Sequence, residues 1–194
     1  MKSKLYSIIP QPSWMKIINN NNFSVSFTWD EICESAGLDE AKESDHELPK
    51  NLSTAMRHLD CGSCGACEAE LTAVFDPPYF AERFGLYVVA SPKEADILGV
   101  TGAYSKSLVG AAKKTFDLMP KGEENSQLIA LIGDCACGEG PYKHSEECDK
   151  SLFDNIWKNN TLSNQNLIEI RGCPPSPALI MKKIITWLSK NKKK

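Results

Sequence analysis

The sequence predicts an α/β fold: an open parallel β-sheet with helices on both faces. Three observations point to it. Short, fully apolar runs such as Leu128–Ile132 lack the polar alternation of a half-exposed strand, so they suit strands buried on both sides. Segments of helical spacing separate these runs, and parallel strands need such crossovers. Most of the cysteines stand just after the predicted strands, which is where open α/β sheets place their sites.

The elements follow in order. Residues 1–53 read as an N-terminal extension, with early prolines, the polar run Asn19–Asn22 and the acidic stretch Asp39–Glu47. Trp14, Ile17, Ile18, Trp29 and Ile32 offer short apolar anchors, and Thr28 with Glu31 has the capping-box spacing for a helix to Ser35. The α/β domain is expected over 54–194. Ala55–Asp60 is a weak strand, and Cys67–Phe75 a helix with Leu71, Val74 and Phe75 at helical spacing. Leu86–Ala90 and Ala95–Thr101 are strands, the second closing on Gly102. Ser105–Met119 is a helix stopped by Pro120. Leu128–Ile132 and Leu167–Ile170 are strands. Pro177–Ser189 is an amphipathic helix with Leu179, Ile180, Ile184, Trp187 and Leu188 facing inward.

Composition narrows the function. The chain is 42% hydrophobic and 24% charged, with a net charge of −3, so no bulk electrostatics favour nucleic acid. The lysines from Lys190 to Lys194 read as a solvated end. No run of 18 apolar residues predicts a membrane span. Pro10 and Pro12 interrupt Ile8 and Ile9 before a secretory apolar core can form, and there is no twin-arginine pair. The expectation is a cytoplasmic protein whose eight cysteines are metal ligands or buried thiols. Dinucleotide, P-loop, nucleophile-elbow and radical-type C-x-x-x-C-x-x-C signatures are all absent.

Three cysteine-bearing loops should meet on one sheet edge. Cys61, Cys64 and Cys67 follow the first strand, Cys135 and Cys137 the Leu128 strand, and Cys173 the last. Glycines 62, 65, 133, 138, 140 and 172 thin the surrounding chain, so backbone can approach a bulky cluster and aim N–H groups at its sulfurs. Pro174, Pro175 and Pro177 stiffen the turn after Cys173. Cys64 and Cys67 lie at a helix N-terminus that favours thiolate charge, and Cys135 and Cys173 directly follow strand ends. These four are the preferred ligands of one [4Fe–4S] cluster. Cys61 and Cys137 are rivals that otherwise serve as nearby thiols, while Cys33 and Cys148 read as small buried thiols. Glu68 and Glu70 suit the helix start or a docking role. Arg171 either favours a reduced cluster or is solvated, and His58 and His144 read as non-ligands. Thr101 completes a turn within reach of a cluster sulfur.

The motifs Asp60–Leu71, Tyr79–Gly85, Val89–Asp96, Val100–Gly102, Gly133–Ala136 and Gly172–Pro175 occur in an order that resembles the small subunit of membrane-bound, energy-converting [NiFe] hydrogenases and formate hydrogenlyases. That group is similar to the 20 kDa subunit of respiratory complex I. The resemblance spans about residues 54–188. It implies a flavodoxin-like domain holding one [4Fe–4S] cluster through Cys64, Cys67, Cys135 and Cys173, beside a catalytic large subunit of [NiFe] or 49 kDa-like type. A two-cluster ferredoxin-like subunit, membrane subunits and a peripheral place on the inner membrane face are implied with it. Cys64 and Cys67 are separated as in the hydrogenase branch, whereas the complex I branch has adjacent cysteines. Cys61, Cys137 and the polar stretch Gly138–Lys150 depart from the family pattern, and the N-terminal extension lies outside its common core.

A relic or repurposed subunit that holds the cluster but serves another large-subunit homologue is one alternative, and two further readings compete. One is a complex I-like, quinone-reducing module. The other is a zinc-stabilised binding module built on Cys64, Cys67, Cys135 and Cys137, which leaves Cys173 and its prolines without a role.

Overall fold

A computed structural model describes residues 27–36, 53–120, 128–151, 153–154 and 166–191. Trp14, Ile17, Ile18, the asparagine run, the acidic stretch and Lys192–Lys194 lie outside the described residues. Five parallel strands form one sheet in the order β2-β1-β3-β4-β5. They are β1 (Thr54–Asp60), β2 (Leu86–Val88), β3 (Ile97–Thr101), β4 (Leu128–Ile132) and β5 (Leu167–Ile170). This is the flavodoxin-like order, whose connections change direction between β1 and β3 and open a crevice at the strands' carboxyl ends. The helices are α1 (Trp29–Ser35), α2 (Ala66–Ala73), α3 (Val109–Leu118) and α4 (Pro177–Asn191).

Alternating side chains split the core in two. Along β4, Leu128, Ala130 and Ile132 face a layer made by α1, α2 and α4, with Trp29, Ile32, Leu71, Ile180 and Ile184. Ile129 and Leu131 face the other layer, with Ala112 and Phe116 of α3. Every residue of β3 and β4 is buried, which is why those strands read as unbroken apolar runs. Burial of each large side chain is worth about 1.5–3 kcal/mol.

Sequence and structure differ mainly at element ends. The weak first strand is well paired, with β2 on one side and β3 on the other. Its signal was diluted because Arg57, His58 and Leu59 are only half-buried. The Ser105–Met119 helix begins as a 3₁₀ turn at Lys106–Leu108 before α3. The Cys67–Phe75 helix becomes α2, ending at Ala73. Helix α4 buries Met181, Lys182 and Ile185 as well as Ile180, Ile184, Trp187 and Leu188 of its expected inner face, with Leu179 only half-buried, because α1 packs against it. The Thr28 capping box forms: Glu31 N–H donates to Thr28 Oγ1 at 3.3 Å, and Thr28 N–H to Glu31 Oε2 at 2.8 Å.

Candidate metal centre

The loops beyond β1, β3, β4 and β5 are tied to one another by backbone. After β1, Asp60 Oδ1 accepts from Gly62 N–H at 2.8 Å and Ser63 N–H at 2.9 Å, a tight turn that delivers Cys64 and then Cys67 in the first turn of α2. The β3 loop staples this turn. Cys61 N–H donates to Thr101 O at 2.8 Å, Ala103 N–H to Gly62 O at 3.0 Å, and Ser105 N–H to Cys61 O at 2.9 Å. Between β4 and β5, Asp134 N–H donates to Gly172 O at 2.9 Å, and Gly172 N–H donates to Asp134 Oδ1 at 2.8 Å. Cys135 and Cys173 are therefore held at one level.

The four preferred cysteines stand on loops that end at the same sheet edge, with Cys64, Cys135 and Cys173 within electrostatic reach of Cys67. Burial pushes the Cys67 thiol up to about 12, with further contributions from the negative charge of Glu68 and from the thiols of Cys135, Cys64 and Cys173. The Cys135 thiol is also raised, first by burial, and it lies within electrostatic reach of Cys173 and Cys64. The backbone N–H of Tyr142 opposes that shift by hydrogen-bonding the sulfur. Cys64 and Cys173 are exposed, whereas Cys67 and Cys135 are half-buried. Two glycines clear space for sulfur. A Cβ on Gly133 (φ +95°) would stand under 3.0 Å from Cys67 Sγ, and one on Gly140 would stand 2.6 Å from Cys135 N. Four soft thiol donors, glycine-lined space beside two of them and a backbone N–H aimed at a third-row atom fit an iron–sulfur group.

The other cysteines do not join them. Cys61 is fully buried in the α3-side core, where burial and Asp60 push its thiol up to about 12. Cys137 lies in the same core, with its thiol near Leu131 O at 3.9 Å and pushed up to about 11, chiefly by burial. Both thiols therefore sit in that core, apart from the layer that Cys67 packs against. Among the described residues the two-pair zinc set is not assembled either, and Cys137 lies in the α3-side core beside Leu131. Among the described residues, no group of three or more Cys, His, Asp or Glu side chains closes tightly enough for a single ion. Cys33 is buried on the inner face of α1, as expected, whereas Cys148 is only half-buried.

The polar neighbours take roles that the sequence left open. The Thr101 hydroxyl donates to Glu68 Oε1, and His58 Nε2 lies 2.9 Å from Thr101 Oγ1. Because that hydroxyl proton goes to Glu68, His58 Nε2 is the donor to Thr101. Thr101 is thus engaged with these side chains and not with a sulfur. Burial raises the Glu68 carboxyl, but the hydroxyls of Ser63 and Thr101, its own backbone N–H and His58 outweigh this and leave it below the usual range. His58 is lowered, chiefly by burial and against the pull of Glu68 and Asp60. Both line an apolar-walled cavity of about 270 Å³ with Met56, Leu71, Phe75 and Val88. Arg171 pairs with Glu139 and, at 2.7 Å, with Glu169, so its charge is already matched. His144 is exposed. Sequence reasoning missed Tyr104. It takes φ +66°, is 1% exposed, and donates its hydroxyl to Ala136 O, joining the β3 and β4 loops. Nothing in its sequence neighbourhood signals that bond.

Residues 64–187, which include all four of these cysteines, match the family described as NADH ubiquinone oxidoreductase, 20 kDa subunit. The chain belongs to this family. Among its relatives is a probable membrane-bound hydrogenase subunit of Pyrococcus furiosus, 32% identical over 133 residues, or 69% of this chain and 72% of that protein. Formate hydrogenlyase subunit 7 of Escherichia coli is 32% identical over 126 residues, 65% of this chain but only 45% of that protein. In fold, the chain is similar to one from the structure of a membrane-bound sulfane sulfur reductase, an archaeal respiratory membrane complex. The TM-score is 0.54 at 19% identity, with 78% of each chain covered. No helix among the described residues is long and apolar enough to cross a membrane.

Proposed function

We propose that this chain is an electron-transfer subunit of a hydrogenase-type oxidoreductase complex, holding one [4Fe–4S] cluster beside a catalytic large subunit. The observation that supports the reading is that Cys67 lies against Gly133 at the end of β4 and beside Gly172, within electrostatic reach of Cys64, Cys135 and Cys173 on the neighbouring loops. When bound, such a cluster supplies outer-sphere transfer of single electrons. The chain's own residues fix it in place. Gly133 and Gly140 leave room for two ligand sulfurs, Tyr142 N–H stabilises the Cys135 thiolate, and Asp134 locks the Cys173 loop to the Cys135 loop.

Cys64 and Cys173 are exposed in the isolated chain, so a partner surface must exclude water from that side. A large subunit docked there would close it, and membrane attachment would then be peripheral, through partners. The hydrogenase relatives and the separated Cys64-x-x-Cys67 pair favour a hydrogenase-type partner over a quinone-reducing, complex I-like one. A nickel-ligating large subunit copurifying with the chain would support the first. A large subunit lacking those nickel ligands would support the second.

The test is iron and acid-labile sulfide in anaerobically purified chain, with Cys173→Ser beside it. About four of each per chain, lost in the variant, is the expected result. Zinc in place of iron, or full iron in Cys173→Ser, would overturn the ligand set.

A further inference from the structure

The polar stretch Gly138–Lys150 returns to the candidate metal centre through one lysine. Lys150 Nζ donates to Cys137 O at 2.8 Å, two residues from Cys135. Its stem lies across Gly138, where an added Cβ would stand 2.5 Å from Lys150 Cδ. Lys150, Lys143 and Cys135 line one cavity of about 50 Å³, walled by Ala103 and Tyr104. Tyr104 O accepts from Asp149 N–H at 2.9 Å, so the residue before Lys150 is tied to the β3 loop. The ammonium is therefore positioned and half-buried.

Its charge is also unspent. Lys150 makes no ion pair among the described residues. Arg171, the cation that the sequence suggested for this role, is matched by Glu139 and Glu169 and half-exposed. The carboxylate beside Cys135, Asp134, is turned to Gly172 N–H. A half-buried cation with no ion pair among the described residues is screened less than one in bulk water and acts over several ångströms.

We propose that Lys150 is a positioning residue that raises the reduction potential of the group held by Cys135. Its ammonium favours the state carrying one more electron, and no bond or proton changes hands. The proposal rests on the cluster reading above.

The test is a dithionite titration of the full chain, purified anaerobically and followed by electron paramagnetic resonance. Lys150→Gln keeps an N–H donor for Cys137 O and loses the charge, whereas Lys150→Arg keeps the charge. The expected shift in Lys150→Gln is about tenfold toward the oxidised state, about 59 mV more negative for one electron, with Lys150→Arg close to wild type. Lys143→Gln, from the exposed rim of the same cavity, should move the midpoint the same way by less. An unmoved midpoint in Lys150→Gln with full iron overturns the proposal and leaves the cluster reading standing. Loss of iron in both Lys150 variants would make the residue a structural brace and also overturns it. A wild-type chain without iron removes both readings.

Discussion

Gly133→Ala probes the place where backbone and the Cys67 sulfur compete for one space. Gly133 closes β4 at φ +95°, and a Cβ there would stand under 3.0 Å from Cys67 Sγ and 3.6 Å from Gly172 O. The left-handed backbone alone costs about 1–2 kcal/mol for an L side chain. Forcing Cys67 off its position adds about 1–3 kcal/mol of overpacking. Gly65→Ala separates these costs, because Gly65 sits at φ +87° with nothing within 4 Å of an added Cβ. It should lose only the backbone part, about 1–2 kcal/mol, and keep its metal. Gly133→Ala should lose about 2–5 kcal/mol in urea unfolding of the metal-free chain, and most of its iron when loaded. Equal stability losses in the two variants, with full iron in both, would refute the placement of Cys67 against the end of β4.

Three other outcomes follow from the same loops. Asp134→Ala removes the acceptor for Gly172 N–H, so urea unfolding should show a loss of about 1–2 kcal/mol and iron content should fall with every cysteine intact; Asp134→Asn should recover most of both. Tyr104→Phe strips the donor from Ala136 O in a buried setting and should cost about 1–2 kcal/mol by chemical denaturation, with the fold retained by circular dichroism. His58 is lowered from 6.5, chiefly by burial, so the unfolded chain takes up its proton first as pH falls. The stability this group contributes is present above the unfolded value and is lost as pH drops through the lower folded one, so the denaturation midpoint should fall more between about pH 7.5 and 5.5 in wild type than in His58→Gln.

The sheet was legible because its signal is redundant. β3 and β4 are buried along their whole length, and full burial writes itself as uninterrupted apolar sequence. The capping box at Thr28 was legible for a similar reason: two side chains at a fixed offset suffice to define it. The first strand was nearly lost because its second half is only half-buried and carries His58 toward a cavity, so its composition serves the site more than the core. The roles of Thr101, Arg171 and Tyr104 were unreadable because each is decided by a partner more than thirty residues away. Thr101 meets Glu68, Arg171 meets Glu139, and Tyr104 reaches Ala136.

The cysteines carry the same lesson in sharper form. Cys61, Cys64 and Cys67 are evenly spaced, and Cys135 and Cys137 are two apart, yet spacing does not say which of them meet. What sorts them is the face of the sheet on which each loop leaves. Cys61 is still bound to β3 by its backbone N–H and stays in the α3-side core, while the Asp60 turn then carries the chain across to α2 and the other layer. Cys137 repeats this after β4, dropping back beside Leu131 once the turn that presents Cys135 is complete. The buried pair thus marks where each loop is anchored, and the proposed ligand cysteines mark where it is aimed. Cys61→Ala and Cys137→Ala should accordingly weaken the metal-free fold by about 1–2 kcal/mol and leave iron content at the wild-type level. Iron lost from either variant at unchanged stability would mean that the anchoring thiols bind metal after all.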